Sequence, residues 1–288
     1  MDMDVSSTGM DAMDVDEKNG SAVTINGLEK QRIAMVVEFD GHPFHGWQQQ
    51  NNACSVQETL QDALQKIEGG SVIVTAAGRT DSGVHAEAMM VHTDVSASRW
   101  HRSHLAYVHG VNSFLPVEIR VIGVRAVDAD FHARFDCHGR SYRYQIWNRG
   151  TASALQRWQH WWMPKRLDVD AMREAAQHCM GRQDFSAIRA SGCQASNAIR
   201  SIKTLSIEQS GHCITISVSA DAFLYHMVRN LVGNLVDVGC GRSTPDAFAA
   251  LLRGKDRSLG AATAPAHGLY FVDAAYDDFC SQELIGSF

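Results

Sequence analysis

Apolar and polar positions along this chain alternate in short runs, broken by glycine, serine and asparagine. Arg32 to Phe39 reads as a strand, and Ser55-Val56-Gln57-Glu58 sets a hydroxyl three residues ahead of a carboxylate, a capping box opening a helix to about Ile67. The β-branched run Ser71 to Thr75 and the run Ala88 to Asp94 read as strands, followed by a helix near Arg102 to Asn112 and a strand near Ile119 to Val127. In the second half, Ser141 to Trp147 reads as a strand and Asp168 to Met180 as a helix stopped at Gly181. Ser201 to Gln209 and Cys213 to Ser219 form a hairpin around Ser210-Gly211, and a helix runs from about Ala222 to Val238. Pro245 opens a shorter helix, and Gly268 to Tyr276 closes as a strand. The order is mixed rather than strictly βαβ, and predicts an α+β chain of two sheet-and-helix lobes. The division falls near Phe135, giving 31–135 and 136–288.

Composition changes this picture at the N-terminus. Residues 1–20 carry six acids against Lys18, a charge of −5 out of a total of −6, so everything after is nearly neutral. Residues 1–30 therefore read as a disordered acidic tail. A neutral remainder binds nucleic acid only where its cations gather in one cleft. No apolar run approaches the ~20 residues that span a bilayer, and no basic leader precedes an apolar stretch, so a cytoplasmic protein is expected. Seven cysteines lack Cys-x-x-Cys spacing, and the pairs His42/His45 and His101/His104 have no suitably spaced third ligand, so neither disulfides nor a metal site is expected.

The chemistry concentrates in Gly78-Arg79-Thr80-Asp81-Ser82-Gly83-Val84-His85, a loop between two predicted strands. Its glycines permit positive φ or close approach of a ligand, and loops on a rigid scaffold often carry reactive groups. Taken alone, the loop is equally a surface turn in which Asp81 pairs with Arg79.

Together with the following Ala86, this loop resembles the active-site loop of the TruA family of tRNA pseudouridine synthases, with Ser82 where the family usually has Ala. Further matches run in order: Glu38-Phe39-Asp40-Gly41 through Gly46-Trp47-Gln48, Ser55-Val56-Gln57, Asp130-Phe131-His132-Ala133-Arg134-Phe135, Tyr142-Arg143-Tyr144, Asp184-Phe185-Ser186, Phe223 to Asn230, and Gly268-Leu269-Tyr270. The resemblance spans about Arg32 to Tyr276.

It implies a pseudouridine-synthase fold with an active-site cleft between two similar lobes, a homodimer, and isomerisation of uridine at tRNA positions 38, 39 and 40 in the anticodon stem-loop, without a cofactor. Asp81 is then the essential aspartate, attacking C1′ or removing the C2′ proton, two routes that stay open. Tyr142 stacks on the flipped uracil and assists proton removal at C5. Arg229, on an otherwise apolar helical run, pairs with Asp81, and Arg79 grips phosphate beside the flipped nucleotide. Phe131, His132, Ala133, Arg134 and Phe135 resemble a stretch that contacts tRNA, as does the loop Gly192-Cys193-Gln194-Ala195-Ser196, which is followed by Asn197-Ala198-Ile199 where many relatives are more basic. A non-catalytic tRNA-binding or folding protein of the same fold is the alternative, and a nucleoside-cleaving hydrolase, which would release free uracil, a more distant one.

Overall fold

Strands and helices follow one another as an α+β chain in the computed structural model, which describes residues 23–25 and 28–287. The first half holds β1 (Val23–Ile25), β2 (Leu28–Phe39), α1 (Val56–Glu68), β3 (Thr75–Ala76), β4 (His85–Ser96), α2 (Ala97–Arg102), α3 (His109–Phe114) and β5 (Ile119–Ala126). The second holds β6 (Gly139–Asn148), β7 (Trp161–Met163), α4 (Val169–Gln177), β8 (Gly181–Asp184), β9 (Ile199–Ser210), β10 (Cys213–Ala220), α5 (Met227–Gly239), α6 (Pro245–Gly254) and β11 (Leu269–Ala275).

All the described strands share one sheet. Its order is β1-β2-β4-β11-β6-β10-β9-β8, with β5 also on β2, β3 on β4 and β7 on β6. Pairing is antiparallel except between β4 and β11 and between β6 and β7. The late strand β11 lies between the halves, joined to β4 through Tyr270 beside His85 and Phe271 beside Ala86. On its other edge Phe271 pairs with Tyr142 of β6.

Two hydrophobic clusters flank this seam. In the first, Ile33, Met35 and Val37 of β2 pack with Leu60 and Leu64 of α1, and Phe271 and Ala274 of β11 join them. In the second, Tyr144, Ile146, Ile214, Ile216 and Val218 meet Met172 of α4 and Leu231, Leu235 and Val236 of α5. Tyr142 packs against both. The N-cap half of the capping box forms: the Ser55 hydroxyl accepts from Glu58 N at 3.3 Å, and Val56, Leu60, Ala63 and Leu64 line the buried face of α1.

Several elements differ from the sequence expectation. Of the expected tail, residues 1–22 and 26–27 lie outside the described residues, while Val23–Ile25 is a strand that pairs antiparallel with the start of β2. The sequence pair Asn26-Gly27 between those strands is a strong hairpin signal that the acidic run upstream masks. Residues 71–74 keep the alternation of a strand, with Val72 and Val74 buried, but α1 side chains take over the backbone: Gln61 Oε1 accepts from Val74 N at 3.1 Å and Gln57 Nε2 donates to Val74 O at 2.9 Å. The helix expected near 102–112 is instead α2, a 3₁₀ turn at His104–Tyr107, and α3, interrupted where Ser103 leaves helical space. Helix α4 stops at Gln177, and Gly181, at φ +81°, opens β8 rather than closing the helix. Helix α5 begins at Met227, five residues later than expected, because His226 sits at φ +57° and Asp221 Oδ1 holds Ser201 N and Ala222 N in a turn.

Candidate active site

The loop from Gly78 to Val84 links β3 to β4 and is braced from behind by residues 41–47. Trp47 N donates to Thr80 O at 3.1 Å, and the Ser82 hydroxyl donates to Phe44 O at 3.3 Å. A Cβ on Gly41 would stand 1.9 Å from Val84 O, so only glycine allows the two segments to approach this closely. Within the loop, Val84 N closes a turn on Asp81 O, and Gly83 takes φ +78°. Asp81 is thereby held by backbone geometry on both sides.

Helix α5 delivers the cation. Arg229 Nη1 donates to Asp81 Oδ2 at 2.9 Å, and Arg229 Nε donates to Ala264 O at 2.8 Å, which fixes the guanidinium plane. His226, the residue before α5, brings Nε2 to 3.1 Å from the same Oδ2 and 3.3 Å from Arg229 Nη1. The three side chains are 24%, 16% and 21% exposed for Asp81, Arg229 and His226, so the group is partly buried yet still reachable from solvent. Burial lowers the His226 imidazole; Asp81 works against this, and Arg229 and Arg257 add to it.

Tyr142 rises from β6 with its ring edge-on between Phe223 at 5.0 Å and Phe271 at 5.3 Å, its hydroxyl close to Gly78. Burial pushes the phenol above its ordinary value; Arg140 opposes this and Asp81 adds to it. The expected pairing of Asp81 with Arg229 is therefore formed, beside Tyr142. Arg79 does not pair with Asp81. It is exposed and makes no hydrogen bond or ion pair among the described residues.

The segment 131–135 divides by role. Phe135 is 77% exposed and stacks on His132 at 4.1 Å, with Arg134 exposed beside them. Ala133 is fully buried, its N–H donating to His92 Nδ1 at 3.0 Å and its carbonyl accepting from Tyr276 at 2.7 Å. Phe131 packs on Tyr276 and Phe279. Arg134 and Phe135 are thus exposed and His132 and Phe131 half-buried, while Ala133 is buried and anchors the segment.

The loop Gly192 to Ser196 borders the site through its fastening to the residue before His226. Tyr225 N donates to Cys193 Sγ at 3.4 Å, and Arg189 Nη2 donates to Cys193 O and Ala195 O, both at 2.8 Å. Burial acts to raise the Cys193 thiol, but donation from the Tyr225 and Ala195 N–H groups and from Arg189 outweighs it, and the thiol is lowered.

Two residues of this site are absent from the sequence expectation. His226 lies three residues before Arg229, a spacing that puts both on one side of a helix start. Arg140 donates to Ala77 O at 2.9 Å and to Arg134 O at 3.0 Å, tying the root of the catalytic loop to the outward aromatic segment. No group of three or more His, Cys, Asp or Glu that could hold a metal occurs among the described residues, and no described helix is long and apolar enough to cross a membrane.

A family profile described as tRNA pseudouridine synthase matches residues 35–136 and 175–277, which include Asp81 and Arg229. The chain belongs to that family. It is 44% identical over 246 residues to tRNA pseudouridine synthase A of Blochmanniella pennsylvanica, covering 85% of this chain and 93% of that one. It is 45% identical over 251 residues to the protein of that name in Idiomarina loihiensis, covering 86% and 94%. Among solved structures, an H/ACA RNP bound to a substrate RNA containing 2′-deoxyuridine contains a chain that is similar at TM-score 0.38 and 10% identity, over 85% of this chain and 49% of that one. The profile leaves out residues 137–174, which contain Tyr142, so that residue's place in the site rests on its geometry beside Phe223 and Phe271.

Proposed function

We propose that this chain isomerises uridine to pseudouridine at positions 38, 39 and 40 in the anticodon stem-loop of tRNA, with Asp81 as the essential carboxylate. The observation that carries the reading is the partly buried Asp81 and Arg229 pair beside Tyr142. Breaking the N1 to C1′ bond leaves positive character on the sugar, which a fixed carboxylate stabilises or captures. The base then has to turn while trapped, so that C5 replaces N1 at the sugar. An aromatic wall holds it: Tyr142 would stack on uracil for ~1–3 kcal/mol, with Phe223 and Phe271 fixing the ring's plane. Arg229 keeps the carboxylate oriented, and the unpaired Arg79 is suited to a phosphate next to the extruded nucleotide. His132, Arg134 and Phe135 supply an aromatic and cationic surface for RNA, and the loop from Gly192 to Ser196 a second edge of the cleft.

Further parts of the reading rest on the family likeness. These are a homodimer in the cytoplasm, no cofactor, and two lobes dividing near Phe135, with the two hydrophobic clusters as physical support for the lobes. The test is pseudouridine mapping on unmodified tRNA incubated with the protein alone. Wild type is expected to modify the anticodon stem-loop and Asp81→Ala to leave it unmodified; equal modification by both would overturn the assignment.

A further inference from the structure

We infer that His226 is a positioning residue whose Nε2 accepts from Arg229 Nη1 and so holds the guanidinium on Asp81 Oδ2, leaving Oδ1 as the reacting oxygen. The inference rests on the proposed role of Asp81 and deepens it. Both distances converge on a single atom: Arg229 Nη1 at 2.9 Å and His226 Nε2 at 3.1 Å from Oδ2, while Oδ1 receives no side-chain hydrogen bond among the described residues. Arginine can only donate, so the 3.3 Å contact of Arg229 Nη1 with His226 Nε2 is a donation to the ring, whose own proton is then on Nδ1. Arg229 Nη1 thus serves Asp81 Oδ2 and His226 Nε2 together, and the ring fixes where the guanidinium points.

The backbone supports the same role. His226 stands at φ +57°, a conformation that L residues with side chains rarely adopt and that clusters at functional sites. It precedes α5, yet its side chain makes no capping hydrogen bond, so the ring is not there to end the helix. Neighbours fix the turn instead: Ala190 N donates to Tyr225 O, Met227 N to Leu224 O, and the Tyr225 ring lies against the imidazole at 3.9 Å. A glycine would satisfy this backbone; histidine adds only a ring aimed at Asp81.

Both open routes then use Oδ1. In one, it gives an electron pair to C1′ as the N1–C1′ pair leaves on uracil. In the other, it takes the C2′ proton, the C2′–H pair becomes the C1′–C2′ bond, and the N1–C1′ pair again leaves on uracil.

The experiment measures tritium release from tRNA carrying [5-³H]uridine, with tRNA binding followed separately, for wild type, Asp81→Asn, His226→Phe, His226→Gly and His226→Gln. His226→Phe and His226→Gly are expected to lose ~10- to 100-fold in kcat with tRNA affinity within about twofold. His226→Gln, whose Oε1 restores an acceptor for Arg229 Nη1 at similar reach, is expected to recover most of that loss. Wild-type kcat in the Phe or Gly variant, or a Gln variant as slow as Phe, overturns the assignment while leaving the catalytic role of Asp81 intact. No release by wild type, or normal release by Asp81→Asn, overturns the underlying reading and this one with it.

Discussion

Arg229 does two things that no other cation can do at once. Its Nη1 reaches Asp81 while its Nε is held by Ala264 O, so the guanidinium is a fixed fork rather than a loose charge. Lysine keeps the charge but offers a single point, and Arg229→Lys is expected to lower kcat by ~10- to 100-fold, or ~1.4–2.7 kcal/mol, with little change in tRNA binding, as single-turnover and binding assays would show. Tyr142 separates differently. Its buried phenol stays protonated at neutral pH, so Tyr142→Phe is expected to bind tRNA normally and any loss of kcat reports the hydroxyl alone; Tyr142→Ala removes the stack as well and should weaken binding by ~1–3 kcal/mol. That Arg229 needs a partner was legible in the sequence because a charge on an apolar run is costly alone, and the family resemblance supplied Asp81 as that partner. His226 was not legible, since a positive φ leaves no mark on a non-glycine residue, nor was the burial of Ala133, because residue type does not reveal which members of a short loop point inward.

At the scale of elements, the catalytic loop depends on the segment behind it. Gly41→Ala sets a methyl against Val84 O, backbone against backbone, and is expected to cost ~2–4 kcal/mol of stability by thermal melting, whereas Gly70→Ala, with open space around it, should be near neutral. The outward aromatic segment rests on His92. Burial lowers that imidazole to about 4, with Arg32 and His132 adding to the effect, and its neutral Nδ1 accepts Ala133 N–H. Because the folded state refuses a proton that the unfolded chain takes, this contribution is complete above about pH 6.5 and is lost as pH falls towards 4, on the order of 3 kcal/mol. Melts across that range should show the fall, and His92→Asn, a non-titrating acceptor, should flatten this share of it. Periodicity located most elements, since β2, β4, β6, β9 and β10 follow their apolar pattern. It failed where side chains replaced backbone partners, as Gln57 and Gln61 do at Val74, and where a turn interrupted an apolar run, as at His226.

At the scale of the whole molecule, charge is unevenly placed. Residues 1–20 hold −5 of the total −6, and like charge of that density repels a polyanionic substrate. Removing residues 1–20 is expected to tighten tRNA binding at low ionic strength, with the gain shrinking as salt rises, a trend that filter binding at two salt concentrations would check. The one-sheet architecture has a different consequence, which comes from the order in which the chain is made. Asp81, Tyr142 and Arg229 all precede β11, yet β11 is the strand that lies between β4 and β6 and supplies Phe271 to the wall of the site. During synthesis the three groups proposed for catalysis leave the ribosome well before the piece that brings their halves together. A nascent chain is therefore expected to be silent until its closing strand emerges, and one that terminates before Leu269 carries Asp81, Tyr142 and Arg229 without the strand that assembles them.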